Sequence, residues 1–502
     1  MYTPHSGSGS TTRSVTTNKP STPGPTVYTP HAATPSANGG SEVGSAKITT
    51  PPSSSANVHS TKPLSPATSK LVDQLNAHGK ISNPASSQKI VTTAGGRQYA
   101  KRPDGSLASF SNAHGLNASF GHNGHVRSIQ TSNMKIQYGP HGGQTVTKQL
   151  PNRAKLVSYG VHSGYVERTV VRNNATIVQR TYLSQGRTFV RVYSPYSYRG
   201  VVLDAYAPGL IYAPAFYGWA YYPWAAPVAF GWGWGGESWF GFYGGYFAPL
   251  PLYASPSLWM TDYILGSTLA EAYQEQQDAA GQAGMDVTAQ DPGPAPGGNA
   301  PSDDAEASAQ TSTPITPELR AAIAEEVRQE LAAENGVANN HVSADVQQIS
   351  SDLQEGHLFV VADLLSVPSD QGNCALTGGD IISVLKPTGS DAQTAVLAVA
   401  SSKRGDCPAG AKVVVALADL QEMDNSLRAQ MDSALAKLHS IQGQGGIPAA
   451  PKSAIGPPPR PAMDDMPAAE QDVPTLLAAE EREAAKEETQ VNLEAFASGA
   501  SH

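Results

Sequence analysis

One carboxylate in this 502-residue sequence stands alone among aromatic side chains, and this is the pattern that most suggests catalysis. Glu237 is the single charged residue of segment 205–261. Burial among aromatic rings would raise the pKa of its carboxyl group, as a general acid requires. Glycoside hydrolysis also needs a second carboxylate, and Asp204 and Asp262 flank the segment. A carbohydrate-active hydrolase centred on Glu237 is therefore one hypothesis, although Asp262 also fits a helix cap.

Cofactor and metal sites are the next class of chemistry to consider. Gly231, Gly233 and Gly236 have the spacing of a dinucleotide fingerprint, but the bulky tryptophans between them would block a pyrophosphate. His122 and His125 could meet on a turn and hold a metal weakly, yet histidines beside turns are more often surface residues. We therefore predict no cofactor, no metal site and no enzymatic activity.

The two cysteines bear on the cellular compartment. Cys374 and Cys407 lie in one short segment beside turn residues, which favours a disulfide between them; two free thiols in a cytosolic protein are the alternative. The first residues form neither a basic nor an apolar stretch, so a signal peptide would have to lie upstream. No run of about 18 apolar residues exists, so no transmembrane helix is predicted. We expect the cell envelope or the extracellular space, with the cytoplasm as the alternative.

Charge divides the chain into a basic half and an acidic half. Residues 1–200 hold 21 Lys and Arg against 4 Asp and Glu, a net charge of +17, and residues 201–502 hold 12 against 38, a net of −26. A basic half can bind an anionic polymer, a glycan or a lipid surface, or it can pair with the acidic half of the same chain. Arg187 and Arg191, on a predicted strand with tyrosines, are candidate binding residues. They also permit nucleic-acid binding, which is the partner that the sequence favours least.

The N-terminal region changes from polar low complexity to predicted strands. Residues 1–69 contain 37 Ser, Thr or Pro and five charges, with too few apolar side chains to offset the loss of chain entropy, so we predict a disordered arm. In residues 70–204, turn pairs such as Asp104-Gly105 separate short alternating runs that carry Lys or Arg on one face. This pattern predicts a basic β-strand domain, built as an antiparallel meander or an open solenoid.

Residues 205–261 form an aromatic segment rich in Gly and Pro. All six tryptophans fall within it, and residues 206–263 hold 20 of the 36 aromatic residues of the chain. Gly and Pro interrupt every run, so no long helix or strand is predicted. So large an aromatic surface either packs as a core or meets a partner, which makes five of the tryptophans candidate binding residues. They are Trp219, Trp224, Trp232, Trp234 and Trp239.

Helices are predicted at three places in the second half of the chain. The first spans residues 262–281, the second residues 316–336 and the third residues 421–442. An acidic linker, residues 282–315, separates the first two. The narrow apolar stripes of the second and third helices suit pairing or self-association. Residues 443–502 are predicted as a disordered acidic tail, with a charged single helix from Thr475 to Gln490 as the alternative for that stretch.

Residues 357–420 predict a compact module of short strands stapled by the disulfide. Its strand order, with Gly379-Asp380-Ile381-Ile382 as a turn followed by a buried strand, resembles Src-homology type barrels. This resemblance implies a small β-barrel. It implies no ligand, because the aromatic residues that would line a proline-peptide groove are absent.

Several stretches together resemble a group of uncharacterised bacterial envelope or secreted proteins. They are Gly164–Arg168, Phe216–Tyr221, Leu258–Tyr263, the helix start at Thr316-Pro317-Glu318 and the two-cysteine module. The resemblance spans residues 95–445 and implies an envelope location without any assigned activity.

The sequence as a whole predicts a mainly β protein with accessory helices. Its parts are a β meander or solenoid-like domain, an aromatic segment, a small disulfide-stapled β-barrel, and disordered N- and C-terminal tails. The first functional hypothesis is a non-enzymatic envelope or extracellular structural or binding protein that contacts an anionic or glycan surface. The alternatives are the hydrolase centred on Glu237 and a nucleic-acid-binding protein that uses the basic half.

Overall fold

The computed structural model describes residues 89–496, with two longer gaps at residues 284–311 and 341–348. Shorter gaps fall at residues 94, 122–123, 140–142, 161, 173, 350–351, 371, 386–391, 404–406, 455–458 and 462–466. The predicted arm at residues 1–69 and most of the acidic linker lie outside the described residues.

Twelve antiparallel strands, paired in sequence order, form one large sheet. The strands are β1 (Lys89–Thr92), β2 (Gln98–Lys101), β3 (Leu107–Ser111), β4 (Asn117–Phe120), β5 (Val126–Gln130), β6 (Met134–Tyr138), β7 (Gln144–Gln149), β8 (Lys155–Gly160), β9 (Ser163–Arg172), β10 (Ala175–Ser184), β11 (Arg187–Tyr198) and β12 (Val201–Ala207). Gly105 and Gly115 close two hairpins at φ of 85° and 84°, where a side chain would be strained. The predicted antiparallel meander is confirmed.

Six helices accompany the sheets within the described part of the chain. They are α1 (Pro214–Tyr221), α2 (Ser238–Phe242), α3 (Pro256–Ala283), α4 (Pro317–Asn340), α5 (Leu417–Ile441) and α6 (Val473–Phe496). Helices α4 and α5 overlap the segments predicted as amphipathic helices, and their apolar faces are buried inside this chain, through Val327 and Leu331 of α4 and Met431 and Leu438 of α5. Self-association through these helices stays a prediction.

Helix α6 occupies part of the tail predicted as disordered, residues 443–502. Its residues Val473, Leu477 and Val491 recur at helical spacing and are buried against the twelve-stranded sheet. The structure thus agrees with the alternative of a helix at Thr475–Gln490 and not with disorder in this stretch. The narrow apolar stripe that packs the helix on the sheet was not recognised in the acidic sequence. Residues 497–502 lie outside the described residues.

The aromatic segment folds into short helices and turns that pack on α3. Its Gly and Pro residues limit α1 to eight residues and α2 to five. Tyr253 and Trp259 are fully buried in the same cluster as Tyr217 of α1. The segment therefore supplies core to the helical part of the protein.

Helix α3 begins six residues before the predicted helix 262–281. Ser255 Oγ accepts an N–H of the first turn at 3.3 Å, which caps the helix. Asp262 instead lies inside the helix and is fully buried, where it pairs with Arg320 of α4 and accepts a hydrogen bond from Tyr253 Oη at 2.7 Å. The capping interpretation was wrong because an ion pair between two helices, which no local pattern reveals, fixes this carboxylate.

A second antiparallel sheet contains six strands, in the order β14 (Leu358–Val360), β17 (Ile381–Val384), β18 (Thr394–Ser401), β19 (Lys412–Ala416), β15 (Leu365–Ser369) and β16 (Gly372–Leu376). Two further short strands, β13 (Leu210–Ile211) and β20 (Arg460–Pro461), pair with each other. Among the described residues no ladder joins β14 to β16, so the structure shows an open strand order where the sequence predicts a closed barrel. Apolar runs predict strands, but they do not specify which strands end as neighbours.

The predicted disulfide is confirmed. Cys374 of β16 and Cys407 are bonded and lie 33 positions apart in sequence. Closing a loop of this length contributes about 3–4 kcal/mol to stability in the chain-entropy model. The bond ties β16 to the segment that precedes β19.

Acidic side chains line the facing sides of α4 and α5. Glu330 lies 3.4 Å from Arg428 Nε, and His357 Nδ1 lies 3.3 Å from Glu326. Burial raises the pKa of Glu330 to about 8, although Arg428 opposes the shift. Burial would lower the pKa of His357, but Glu326 outweighs it and raises that pKa to about 9. At neutral pH the folded protein therefore holds protons on Glu330 and His357 that the unfolded chain has released.

This network predicts that the free energy of unfolding decreases as the pH rises from 6 to 9. The raised pKa of Glu330 disfavours the folded state increasingly between its ordinary value and about 8, and the stabilisation from His357 is lost as the pH approaches about 9. Urea denaturation at four pH values measures the effect, and Glu330→Gln should make the dependence shallower. A constant or rising midpoint over this range would contradict the prediction.

Candidate functional site

Arg180 of β10 carries a buried charge in the middle of the large sheet, with its side chain 1% exposed. Its guanidinium donates to Glu167 Oε2 at 2.7 Å and to both carboxylate oxygens of Glu422 on α5 at 2.6 Å. The rings of Tyr165 and Tyr193 lie on the guanidinium, with centroids at 4.9 and 4.0 Å. Burial would lower the pKa of Arg180, but Glu422 and the tyrosines outweigh it and raise that pKa. The cation therefore stays charged and holds α5 against the sheet.

Strand register aligns aromatic rings in one row across β8 to β11. Tyr182 is the Cα partner of Phe189 on one side and of Tyr165 on the other. The Phe189 and Tyr182 rings stack with centroids 5.3 Å apart, Tyr165 follows at 4.9 Å, and Tyr159 lies 6.5 Å beyond Tyr165. Such contacts are typical of neighbours on one face of a sheet. Phe189 ends the row and is 38% exposed.

A cleft of about 430 Å³ opens over this aromatic row. The sheet forms one wall, and helices α3 and α5 and residues Ala362–Asp363, between β14 and β15, form the others. Uncharged polar side chains also line it, namely Ser163, Ser184, Gln185, Gln274, Asn425 and Ser426. Ligand sites commonly have volumes of about 300–1,000 Å³, so the cleft fits a small ligand or one segment of a longer one.

Five carboxylates line the cleft. Glu271, Glu275 and Asp278 follow one another at intervals of four and three residues on α3, which places them on one face of the helix. Asp363 and Glu422 complete the set from the second sheet and from α5. These five carboxyl groups form one wall of the cleft, which we call the carboxylate wall.

The carboxyl groups of the cleft differ in their titration. Burial raises the pKa of Asp363 to about 7. Burial and the proximity of Asp363 raise the pKa of Glu275 well above its ordinary value. Burial acts in the same direction on Glu422, but the guanidinium of Arg180 outweighs it and holds that pKa below the usual range. Protonated and ionised carboxyl groups are therefore present together at neutral pH.

Arg191 is the guanidinium of the cleft lining. Its guanidinium carbon lies 4.9 Å from the ring centre of Tyr182 and 5.3 Å from that of Phe189. Arg187, the other arginine predicted to bind, is exposed four residues earlier on the same strand and lies outside the lining. The structure thus brings one of the two predicted arginines to the cleft.

The predicted tryptophans lie in two clusters packed around α3 and not in the cleft. Trp224 and Trp239 are each 8% exposed, and the other three are half-buried. Trp232 stacks on Trp234 at 4.3 Å and on Trp259 at 4.9 Å. Core packing is the interpretation of the aromatic segment that agrees with these contacts.

Each carboxylate named by the hydrolase hypothesis lies in a different environment. Glu237 is exposed at the start of α2, and Asp262 is buried and engaged by Arg320. Asp204 lies on β12, where burial and the nearby Glu167 raise its pKa to about 6. These surroundings give no support to catalysis centred on Glu237.

Cations of the basic half pair with carboxylates of the acidic half. The pairs are Arg97 with Glu494 at 3.7 Å, Lys148 with Glu480 at 2.9 Å, Arg168 with Glu470 at 2.8 Å, and Arg180 with Glu422 at 2.6 Å. Three of the four acidic partners lie on or just before α6. Pairing within the chain, one of the two interpretations of the charge asymmetry, therefore accounts for these cations.

The described residues contain neither a metal-binding cluster nor a membrane-spanning helix. In this part of the chain, no group of three or more His, Cys, Asp or Glu residues is arranged to hold a metal ion. His125 is exposed, and His122 lies outside the described residues. No helix that the structure describes is both long and apolar enough to span a bilayer.

The carboxylate wall and most of the aromatic row were missed by sequence reasoning. The spacing of Glu271 and Glu275 is a helical signal that could have identified one acidic face. Asp363 and Glu422 gave no such signal, because each comes from a separate element and reaches the cleft only through tertiary packing.

Comparisons with protein-family models, with curated proteins and with solved structures give no match. No relative therefore assigns a role to a residue of the cleft. The functional inference rests on the lining residues and their charges.

Removing the Arg180 cation should destabilise the protein by about 3–5 kcal/mol, because Glu167 and Glu422 would then lack their counter-charge. Urea denaturation of Arg180→Gln, Glu422→Gln and the double variant measures the loss. We expect the double variant to lose less than the sum of the single losses, since both act on one ion pair. Additive losses would contradict a coupled pair.

Tryptophan emission should be blue-shifted and weakly quenched by iodide, because all six indoles are buried or half-buried. Vesicles of anionic lipid should leave the spectrum unchanged, and urea-unfolded protein provides the exposed reference. Red, quenchable emission that shifts to the blue on adding vesicles would contradict placement of this segment in the core.

Proposed function

We propose that this protein is a non-enzymatic carbohydrate-binding protein of the cell envelope or the extracellular space. The observation that carries the proposal is the cleft of about 430 Å³, whose lining combines an aromatic row with amide, hydroxyl and carboxylate groups. Sugars present apolar ring faces and many hydroxyl groups, so a lining that offers both aromatic surface and hydrogen-bonding groups suits them.

The hydrogen-bonding capacity of the cleft supports a sugar over an apolar ligand. Carboxylate oxygens accept several hydrogen bonds, and amide and tyrosyl groups both donate and accept. Tyr182 Oη and Tyr193 Oη lie 2.6 Å apart, and Tyr159 Oη donates to Asp363 at 2.8 Å. The exposed part of Phe189 adds apolar surface at the end of the aromatic row.

The charges of the cleft distinguish between the kinds of partner that the sequence suggested, an anionic surface and a glycan. Five acidic side chains line the cleft, and Arg191 is the one arginine among its lining residues. A polyanion or an anionic lipid would meet repulsion there. The lining therefore favours a glycan over an anionic polymer.

The location is supported by the disulfide between Cys374 and Cys407. Disulfides persist in oxidising compartments, which include the cell envelope and the extracellular space. We also propose that the protein belongs to the group of bacterial envelope or secreted proteins that its sequence resembles.

A glycoside hydrolase is the second candidate. The pKa of Asp363 is raised to about 7 while that of Glu422 is held low, and such a divergence is expected of a general acid beside an ionised carboxylate. Both oxygens of Glu422 are engaged by Arg180, which disfavours this carboxylate as a nucleophile. Release of reducing sugar from an oligosaccharide that Asp363→Asn abolishes would favour the hydrolase.

Isothermal titration with cellotetraose and chitotetraose tests the binding role. We expect at least one of these neutral oligosaccharides to bind. Phe189→Ala should weaken its binding by about five-fold, because the variant removes the ring that ends the aromatic row.

Phe242→Ala is the matched control, since Phe242 is 39% exposed but belongs to α2, outside the cleft lining. It should bind the oligosaccharide as the unmodified protein does. An equal loss in the two variants would refute the proposal, and so would failure of both oligosaccharides and of all the monosaccharides named below to bind.

A further inference from the structure

Groups of opposite charge occupy opposite walls of the cleft. Glu271, Glu275 and Asp278 share one face of α3, and Arg191 lies on the sheet. Glu271 is exposed, whereas Glu275 and Asp278 are half-buried. A ligand that spans the cleft therefore meets carboxylates on one side and a guanidinium on the other.

Arg191 is suited to a planar anion. The rings of Tyr182 and Phe189 lie 4.9 and 5.3 Å from its guanidinium carbon, and its N–H donors lie around the edge of the guanidinium plane in the fork geometry that matches a carboxylate. Arg180, its Cα partner across the ladder, is already engaged by Glu422. The sheet wall therefore offers the guanidinium of Arg191 to a ligand.

We infer that the sugar bound in this cleft is amphoteric, with a protonated amine against the carboxylates of α3 and a carboxylate against Arg191. This inference rests on the carbohydrate-binding function proposed above. A neutral sugar would pair with neither wall, a purely anionic sugar would be repelled by α3, and a purely cationic sugar would be repelled by Arg191. A 2-amino sugar acid matches both walls.

Four monosaccharides with the same ring test the inference by isothermal titration at pH 7. N-acetylglucosamine is neutral, glucosamine carries an ammonium group, N-acetylmuramic acid carries a carboxylate, and muramic acid carries both. We expect muramic acid to bind about ten-fold more tightly than each of the other three, because only it forms a charge-assisted contact with both walls.

Two variants assign each charge to its wall. Arg191→Gln should weaken the binding of muramic acid by about ten-fold and leave the binding of glucosamine no weaker. Asp278→Asn should weaken the binding of muramic acid and of glucosamine and leave the binding of N-acetylmuramic acid no weaker. Arg187→Gln on the same strand and Glu237→Gln on α2 are matched controls outside the lining. Both controls should bind muramic acid as the unmodified protein does.

The outcomes separate this inference from the function on which it rests. If cellotetraose or chitotetraose binds but muramic acid binds no better than N-acetylglucosamine, the amphoteric specificity is overturned and the sugar-binding role stands. If no sugar of either set binds, both the carbohydrate-binding function and the amphoteric specificity are refuted. If Arg191→Gln and Arg187→Gln weaken the binding of muramic acid equally, the assignment of its carboxylate to Arg191 is overturned.

Discussion

The ion pair between the buried guanidinium of Arg180 and Glu422 is the interaction on which the position of α5 over the large sheet depends. A cation inside a sheet is tolerated only when carboxylates and hydrogen bonds replace the water it has lost. Glu167 supplies one partner from the neighbouring strand, and Glu422 supplies a two-point partner from α5. Because the second partner comes from a distant element, the pairing fixes α5 over the sheet. The cleft is the space between these two elements, α3 and the second sheet.

Charge and aromatic composition, the two extremes of this sequence, serve mainly internal packing. Lys148, Arg168 and Arg180 all pair with carboxylates from the acidic half of the chain. The aromatic segment packs around one side of α3, where Trp259 and Leu265 are fully buried. That packing orients α3, so that the carboxylates later in the helix line the cleft. The unusual composition of these segments therefore contributes to the scaffold around the cleft and not to the cleft lining itself.

Local patterns predicted the fold better than they predicted the site. Alternation and turn residues such as Gly105 specify hairpins, and consecutive hairpins produce a meander without further information. For the acidic tail, local patterns left disorder and a charged helix both open, because the stripe that includes Val473 and Leu477 gains its partners only from the sheet. Of the residues proposed to bind, Arg191 reached the cleft because a strand that alternates charged and aromatic residues presents them on one face.

The sequence by itself determined the antiparallel meander, the approximate positions of α4 and α5, and the disulfide between Cys374 and Cys407, since each follows from periodicity, turn chemistry or cysteine count within a short span. Only the tertiary structure decided that α6 closes one face of the sheet, that Asp262 pairs with Arg320, and which residues meet in the cleft. The physical reason is distance along the chain: Arg180 and Glu422 are 242 positions apart, and only packing brings a buried cation to the carboxylates that compensate it.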